Sequence, residues 1–296
     1  NYFYPDLPKG YQVSQHTTPI CKNGYVKIKT NEGEKNIRLN RIHMEEDAGK
    51  SLHDVDERNT CIDYNRAGTP LVEIVTEPDI RSSEEAFAYL TEVRKLVRYL
   101  DICDGNMEEG SFRCDANISV RKKGDPKLGT RVEVKNLNSI RNVKRAIEVE
   151  AARLIGLLEN GEVIRQQTRS FDANNGTTFS IRDKEDADDY RYFADPDLTP
   201  FHLEEAFIES IRADIPVLQE ERIKKYMALQ LTEYDATVLT EDKTMADYFE
   251  TVISHTPNSK AAANWMLGPV KTWLNENNQE IDGFPIAAEQ LAKLVQ

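Results

Sequence analysis

The feature that most constrains the fold is a period-two alternation of polar and apolar residues in two neighbouring segments. In DANISVRKK, Ala116 and Ile118 alternate with polar side chains. TRVEVKN repeats the pattern around Val132 and Val134. Successive side chains of a strand point to opposite faces of its sheet, so alternation is typical of a strand with one buried face. Because KKGDPKLG supplies turn residues, residues 114–136 are predicted to form an antiparallel hairpin with a densely polar outer face.

Helices and further strands are predicted on either side of this hairpin. Apolar residues at helical spacing predict a helix over 83–100. A second helix is expected to begin at Ser139, a residue type that caps helices, and to end before Gly161. Asn175-Gly176 predicts the turn of a second hairpin, between EVIRQQTRSFD and TTFSIRD. The many prolines and glycines of residues 1–80 indicate short strands and loops.

The last third of the chain has a different, helical pattern. Segments around EEAFIESIR, EERIKKYMALQ, MADYFETVISH and AANWMLGPVKTWLNE are separated by Pro216, Pro257 and Gly283. With 296 residues, the chain is long enough for two domains of ordinary size. We therefore predict an α+β domain over residues 1–202, built on an antiparallel sheet, and a helical domain over residues 203–296.

The charge of the chain limits what it can bind. Its formal net charge of −13 repels polyanions, so the protein is not a non-specific nucleic-acid coat. Within residues 113–153, however, eleven Lys or Arg stand against five Asp or Glu, which is a local basic surplus. Any RNA or phosphate site is therefore expected to be local.

Other classes of protein are disfavoured by motifs that the sequence lacks. It has no phosphate-binding G-x-x-x-x-G-K-[ST] loop, no dinucleotide-binding G-x-G-x-x-G and no G-x-S-x-G elbow. No apolar run is long enough for a membrane span, and the four cysteines form no C-x-x-C pair. We expect a protein of the reducing cytoplasm without a membrane partner. Because the chain begins without methionine and stops inside a helical pattern, we also expect it to be part of a longer protein.

Two acidic groups are candidates for binding a cation. Glu73 interrupts the apolar run PLVEIV, where an unpaired buried carboxylate would be costly. RIHMEEDAGKS contains His43, Glu45, Glu46 and Asp47. If the two groups converge, their oxygens suit Mg²⁺, which commonly bridges a protein to substrate phosphates. The alternatives are an edge strand with Glu73 facing water and a solvated acidic turn, and neither group is specific by itself.

Basic side chains of the predicted hairpin are candidates for holding phosphate. The charged residues in or beside its polar face include Arg113, Asp115, Arg121 and Lys135. Arginine and lysine fixed on a sheet can bind phosphate oxygens and stabilise the charge that moves in phosphoryl transfer. The alternative is a solvated face with cross-strand ion pairs, which would contribute little. Cys114 is expected to be a small buried residue rather than a nucleophile.

Six long motifs occur in collinear order: NYFYPDLPKGYQ, HMEEDAGKS, NRAGTPLVEIVTEPD, MEEGSFRCDANISVR, VEVKNLNS and DDYRYFADPDL. Together they resemble the GatB family, the B subunits of aspartyl/glutamyl-tRNA amidotransferases. The resemblance implies a protein that uses ATP and Mg²⁺ to phosphorylate the side-chain carboxylate of Glu or Asp on misacylated tRNA, after which ammonia displaces the phosphate. It also implies an amidase partner (the A subunit), a small third partner (the C subunit), and a cradle fold related to the catalytic domain of glutamine synthetase.

The resemblance also implies roles for individual residues. Glu46 of HMEED and Glu73 of PLVEI are similar to the family's metal-binding carboxylates. Lys9, with Glu46, is similar to residues that line the ammonia route. The chain departs from the family where Gln167 replaces a usual Glu and Ala194 replaces a common Pro. The family's opening strand, with a metal-binding Glu and His, and its tail domain lie outside this sequence, so this stretch alone is expected to be inactive.

The leading interpretation is an ATP-dependent kinase and transamidase that converts Glu-tRNA(Gln) or Asp-tRNA(Asn) to the amidated form, as a ligase that takes nitrogen from glutamine. Two alternatives stay open. One is a non-catalytic tRNA-binding or scaffolding module with solvated acidic groups. The other is a small-molecule carboxylate kinase of similar fold that acts on free glutamate.

Overall fold

The computed structural model describes residues 5–15, 17–52, 55–56, 58–183 and 194–296. The DDYRYF part of the last motif lies outside these residues. The chain divides into two compact units, each of which draws on two stretches of sequence. The first unit comprises residues 1–92 and 113–202, and the second comprises residues 93–112 and 203–296.

The described strands all belong to the first unit, and most of them are short. They are β1 (Cys21–Lys22), β2 (Tyr25–Thr30), β3 (Gly33–Glu46), β4 (Lys50–Leu52), β5 (Cys61–Asp63), β6 (Pro70–Thr76), β7 (Cys114–Ile118), β8 (Val132–Leu137), β9 (Gln167–Asp172) and β10 (Thr177–Asp183). β6 contains the apolar run around Glu73, so that run forms a strand as predicted.

β3 is the centre of the first sheet because it pairs with three other strands, all antiparallel. Its first half forms a tight hairpin with β2. In its second half, Ile42 lies opposite Ile74 of β6 on one edge and opposite Cys21 of β1 on the other. Ile28 and Ile37 are fully buried, so apolar packing anchors the hairpin. β4 and β5 form a separate two-stranded sheet.

The second sheet has the order β10-β9-β8-β7 and confirms both predicted hairpins. β7 and β8 pair antiparallel, as do β9 and β10, whose turn contains Gly176 with a φ of 65°. β8 and β9 pair parallel, so the sheet is mixed rather than wholly antiparallel as predicted. Parallel neighbours need a crossover connection, which the helix between them provides. Val132 and Val134 are fully buried, as the alternation predicts.

Two long helices confirm the predictions made for the first part of the chain: α1 (Ser83–Tyr99) and α2 (Ile140–Glu159). Ser139 caps α2, since its hydroxyl oxygen accepts a hydrogen bond from the Asn142 N–H at 3.1 Å. Gly161 follows the end of α2 with a φ of 74°, a conformation that glycine adopts readily. α2 is the crossover between β8 and β9 and packs on their sheet.

The second unit is helical, as predicted for the last third of the chain. Its helices are α3 (Glu205–Asp214), α4 (Gln219–Ala228), α5 (Glu233–Leu239), α6 (Lys243–Ser254), α7 (Ser259–Trp265), α8 (Lys271–Asn277) and α9 (Ala288–Val295), with a π-helical turn at Met266–Val270. α5 has no counterpart among the predicted segments. The apolar core includes Tyr226 and Phe249, whose ring centroids are 4.9 Å apart. No helix in the described part of the chain is long and apolar enough to cross a membrane.

The sequence predicts a single domain boundary, between residues 202 and 203. In the structure, residues 93–112 lie on the N-terminal side of this boundary but belong to the second unit. The division between the units falls inside α1. The Tyr99 hydroxyl donates a hydrogen bond to the Thr240 carbonyl, and Arg98 pairs with Asp242 at 2.6 Å. These contacts join residues far apart in sequence, so the helical pattern that predicted α1 could not reveal them.

Candidate metal centre

The pairing of β3 with β6 brings a histidine and two carboxylates together. His43 lies directly opposite Glu73, and Glu45 lies two residues further along β3 on the same face. The His43 Nε2 atom is 3.3 Å from Glu73 Oε2 and 3.6 Å from Glu45 Oε2. One possible ligand atom from each side chain lies within 4.8 Å of the other two. We name these three residues the β3–β6 cluster.

The members of the β3–β6 cluster differ in their exposure to solvent. His43 is buried, Glu45 is half-buried and Glu73 is exposed. Burial, followed by the charge of Glu73, raises the pKa of Glu45 to about 7. A hydrogen bond from Gln12 and the charge of Arg113 oppose this rise in pKa. A divalent cation bound between the two carboxylates would relieve their repulsion.

The ligand atoms of the β3–β6 cluster suit a hard divalent cation. Carboxylate oxygens are typical ligands of Mg²⁺ and Mn²⁺, whereas imidazole nitrogen is more typical of zinc and other transition metals. Because the β3–β6 cluster has two carboxylates and one imidazole, it favours Mg²⁺ or Mn²⁺ over zinc. Three protein ligands leave positions for water or for substrate oxygens. Among the residues that the structure describes, no second group of this kind is close enough to share an ion.

Glu46, one of the two predicted metal ligands, lies on the other face of β3. Adjacent side chains of a strand point to opposite faces, so Glu46 is turned away from Glu73. Its carboxylate is 2.7 Å from Lys9 Nζ and accepts a hydrogen bond from the Val13 N–H at 2.9 Å. The structure therefore brings Lys9 and Glu46 together, but it does not bring Glu46 and Glu73 to one cation. His43 and Glu45 take the place of Glu46 beside Glu73.

Arg113, a predicted phosphate residue, is paired with Asp47, which directly follows β3. Asp47 is buried, and its Oδ2 atom is 2.8 Å from Arg113 Nη2 and 3.1 Å from Arg66 Nε. Arg66 was not among the predicted site residues. The side chains of Arg66 and Arg113 are 35% and 42% exposed, so both guanidinium groups can be reached from solvent.

The other three predicted phosphate residues have different surroundings. Lys135 of β8 pairs with Asp115 of β7 at 2.6 Å and lies 3.6 Å from Glu133. Burial lowers the pKa of Lys135, but the charges and hydrogen bonds of Asp115 and Glu133 outweigh burial and raise the pKa overall. Arg121 donates a hydrogen bond to the Pro126 carbonyl at 3.0 Å, within the loop between β7 and β8. A phosphate role for these three residues stays a prediction.

The family of this chain follows from comparison with known proteins. Residues 1–209 match the family model described as the GatB/GatE catalytic domain. The chain belongs to this family. A second model, described as a GatB domain, matches residues 247–296.

Relatives of this GatB/GatE chain are similar along its whole length. The B subunit of the aspartyl/glutamyl-tRNA(Asn/Gln) amidotransferase of Thioalkalivibrio sulfidiphilus is 52% identical over 299 residues, which cover 100% of this chain and 63% of the relative. The protein of the same name from Chlorobium phaeobacteroides (strain BS1) is 52% identical over 296 residues, which cover 100% of this chain and 62% of the relative. The chain thus spans less than two thirds of the length of these curated relatives.

A buried carboxylate of this GatB/GatE chain was not predicted from its sequence. Glu150 of α2 is fully buried and lies 2.6 Å from Arg153 Nη2 and 3.4 Å from Arg169 Nε of β9. The hydroxyl of Thr178 in β10 donates a hydrogen bond to Glu150 Oε2 at 2.6 Å. Gln167, one of the departures from the family pattern, accepts a hydrogen bond from Arg169 Nη1. The network joins α2 to both strands of the second hairpin.

Proposed function

We propose that this chain is part of an ATP- and Mg²⁺-dependent kinase and transamidase that acts on Glu-tRNA(Gln) or Asp-tRNA(Asn). The observation that carries the proposal is the β3–β6 cluster, which offers two carboxylates and an imidazole within reach of one ion. The names of the relatives, which are B subunits of aspartyl/glutamyl-tRNA(Asn/Gln) amidotransferases, support the class of substrate.

The proposal includes partners that this chain does not contain. An amidase, the A subunit, would release ammonia from glutamine. A small C subunit would complete the complex, and misacylated tRNA would carry the substrate. The α+β unit would be a cradle related to the catalytic domain of glutamine synthetase, and the complex would work in the cytoplasm.

The reaction has two steps, because a carboxylate is a poor electrophile. In the first step, a side-chain carboxylate oxygen attacks the terminal phosphorus of ATP. The bond between that phosphorus and the bridging oxygen breaks, ADP leaves, and an acyl phosphate forms on the aminoacyl-tRNA. In the second step, ammonia attacks the acyl carbon, the carbon–oxygen bond to phosphate breaks, and inorganic phosphate leaves. The nitrogen loses a proton, and the product is the amide.

The described residues have distinct roles in these steps. His43, Glu45 and Glu73 would hold Mg²⁺. When bound, Mg²⁺ supplies positive charge that offsets the charge of the phosphate oxygens. Glu46 lies with Lys9 on the other face of β3, where this ion pair would line the route by which ammonia reaches the acyl phosphate.

Amidation by the reconstituted full-length complex tests this proposal. Glu73→Gln keeps the size of the side chain but removes a charged ligand, so ATP-dependent amidation should fall by at least about a hundredfold. Glutamine hydrolysis by the amidase partner and tRNA binding should persist. The matched control is Glu34→Gln, an exposed position on the same strand, which should amidate normally. Unchanged amidation in Glu73→Gln would contradict the proposal.

A second candidate is a non-catalytic tRNA-binding or scaffolding module. The pairing of Lys135 with Asp115, and of Arg113 with Asp47, favours it, because charges that satisfy each other can be purely structural. Such a module would bind tRNA without nucleotide. The intact complex would then show no Mg²⁺-dependent ATP turnover.

A further inference from the structure

We infer that Arg66 and Arg113, held by the carboxylate of Asp47, form a phosphate-binding clamp beside the β3–β6 cluster. The inference rests on the proposed function and deepens it, because it assigns side chains to the phosphate group that the metal would carry. In this Asp47 clamp, the two arginines touch the phosphate oxygens, and Asp47 is a positioning residue.

Backbone pairing places Asp47 on the same face as the β3–β6 cluster. The Asp47 N–H donates to the Thr69 carbonyl at 2.8 Å, and the Gly68 N–H donates to the Asp47 carbonyl at 2.9 Å. The pairing of β3 with β6 therefore continues one residue beyond the end of β3. Side chains two residues apart on a strand share a face and lie about 7 Å from each other. Asp47 thus follows His43 and Glu45 along one face.

Asp47 fixes both arginines before any ligand arrives. Its Oδ2 atom is 2.8 Å from Arg113 Nη2 and 3.1 Å from Arg66 Nε. Its Oδ1 atom accepts a hydrogen bond from the Ala48 N–H at 2.8 Å. Since Asp47 is only 6% exposed, little water competes for these contacts. The single N–H of Arg66 Nε donates to the Ala48 carbonyl at 3.2 Å, and this hydrogen bond further limits the movement of the guanidinium group.

Each arginine keeps donors for a ligand. Arg66 contacts Asp47 through Nε, and Arg113 does so through Nη2. Over the part of the chain that the structure describes, no other acceptor is hydrogen-bonded to their remaining N–H groups. A guanidinium group presents paired N–H donors that match the oxygens of a phosphate, which an ammonium group cannot do.

The distribution of charge favours an anion at the clamp and a cation at the cluster. One carboxylate and two guanidinium groups leave the Asp47 clamp with net positive charge. Glu45 and Glu73 give the neighbouring β3–β6 cluster net negative charge. A phosphate bound to a divalent metal would satisfy both groups, because the carboxylates would offset the charge of the metal and the arginines would offset the charge of the phosphate oxygens.

Binding of Mn²⁺ and pyrophosphate to the full-length complex tests the clamp. Pyrophosphate represents the end of the nucleotide, and inorganic phosphate in a second arm represents the group after transfer. Arg66→Lys, Arg113→Lys and Asp47→Asn should each weaken binding of at least one of these anions by about tenfold, with Mn²⁺ affinity unchanged. Arg38→Lys is the matched control, because Arg38 forms an exposed ion pair with Asp79 and should bind both anions normally.

The outcomes separate the clamp from the proposed function. One outcome would overturn the clamp alone: the parent protein binds Mn²⁺ and pyrophosphate, and the folded variants bind both anions as tightly as the parent does. Loss of Mn²⁺ affinity in step with anion affinity would also overturn it, because the arginines would then be supporting the metal centre. Parent protein that binds neither Mn²⁺ nor either anion would overturn the clamp and the proposed function together. Selective loss for pyrophosphate would assign the clamp to the nucleotide, and selective loss for phosphate to the transferred group.

Discussion

Removing the charge of Glu45 should stabilise the folded chain at neutral pH, and the gain should shrink in mild acid. Burial and the neighbouring Glu73 raise the pKa of Glu45 from 4.5 to about 7. The folded chain therefore holds this proton more tightly than the unfolded chain does. The contribution of Glu45 to the free energy of unfolding is fully present below the lower pKa, falls as the pH rises between the two values, and is constant above the higher one.

The size of the effect follows from the two pKa values. With 4.5 in the unfolded chain and about 7 in the folded chain, ionisation of Glu45 costs about 1 kcal/mol at pH 5 and about 3 kcal/mol at pH 8. Glu45→Gln removes this cost and keeps the size of the side chain. The stability of the variant relative to the parent should therefore increase by about 2 kcal/mol between these two pH values.

Urea unfolding followed by circular dichroism, with a chelator present, measures this difference. Glu34→Gln, at an exposed position of the same strand, should differ from the parent by the same amount at both pH values. Adding Mn²⁺ at pH 8 should stabilise the parent more than Glu45→Gln. If the free energies of unfolding of Glu45→Gln and the parent differ by the same amount at both pH values, the raised pKa of Glu45 is refuted.

Two further predictions concern the second sheet. Glu150→Ala should lower the free energy of unfolding by about 3 kcal/mol or more, because it leaves the largely buried Arg169 without its carboxylate partner. Glu159→Ala, on the exposed side of the same helix, is the control and should have little effect in the same urea assay. Equal losses in these two variants would contradict the role of the buried network. Burial raises the pKa of the Cys114 thiol to about 12, so at pH 8 a thiol reagent should modify exposed Cys21 orders of magnitude faster than Cys114 in the folded chain. Similar rates for the two cysteines would show that Cys114 is accessible.

The sequence predicted those parts of the fold that local pattern decides. The alternation of polar and apolar residues was sufficient to predict β7 and β8. A capping serine followed by apolar residues at helical spacing was sufficient to predict α2. The parallel pairing of β8 with β9 could not be predicted, because it depends on α2 crossing the sheet rather than on residues of either strand. For a similar reason the sequence did not reveal that residues 93–112 belong to the second unit, since the helical pattern of α1 is continuous across the division.

The candidate site was predictable only in part. Glu73 and the HMEED segment were recognised, but the alternation of side chains along β3 groups His43, rather than Glu46, with Glu45. The register that sets His43 opposite Glu73 cannot be predicted from either segment alone. It matters because a slip of one residue would turn Glu73 to the other face of the sheet. Arg66 was missed because only the folded chain brings it to Asp47.

Tyr99 and Arg98 leave the ribosome long before Thr240 and Asp242, the residues they bond to. A gene cut after residue 202 would therefore yield an N-terminal product whose α1 ends in a tyrosine and an arginine that have lost these contacts. The C-terminal product would lack the segment that covers Thr240. A helical piece intended to fold by itself has to carry residues 93–112 joined to residues 203–296.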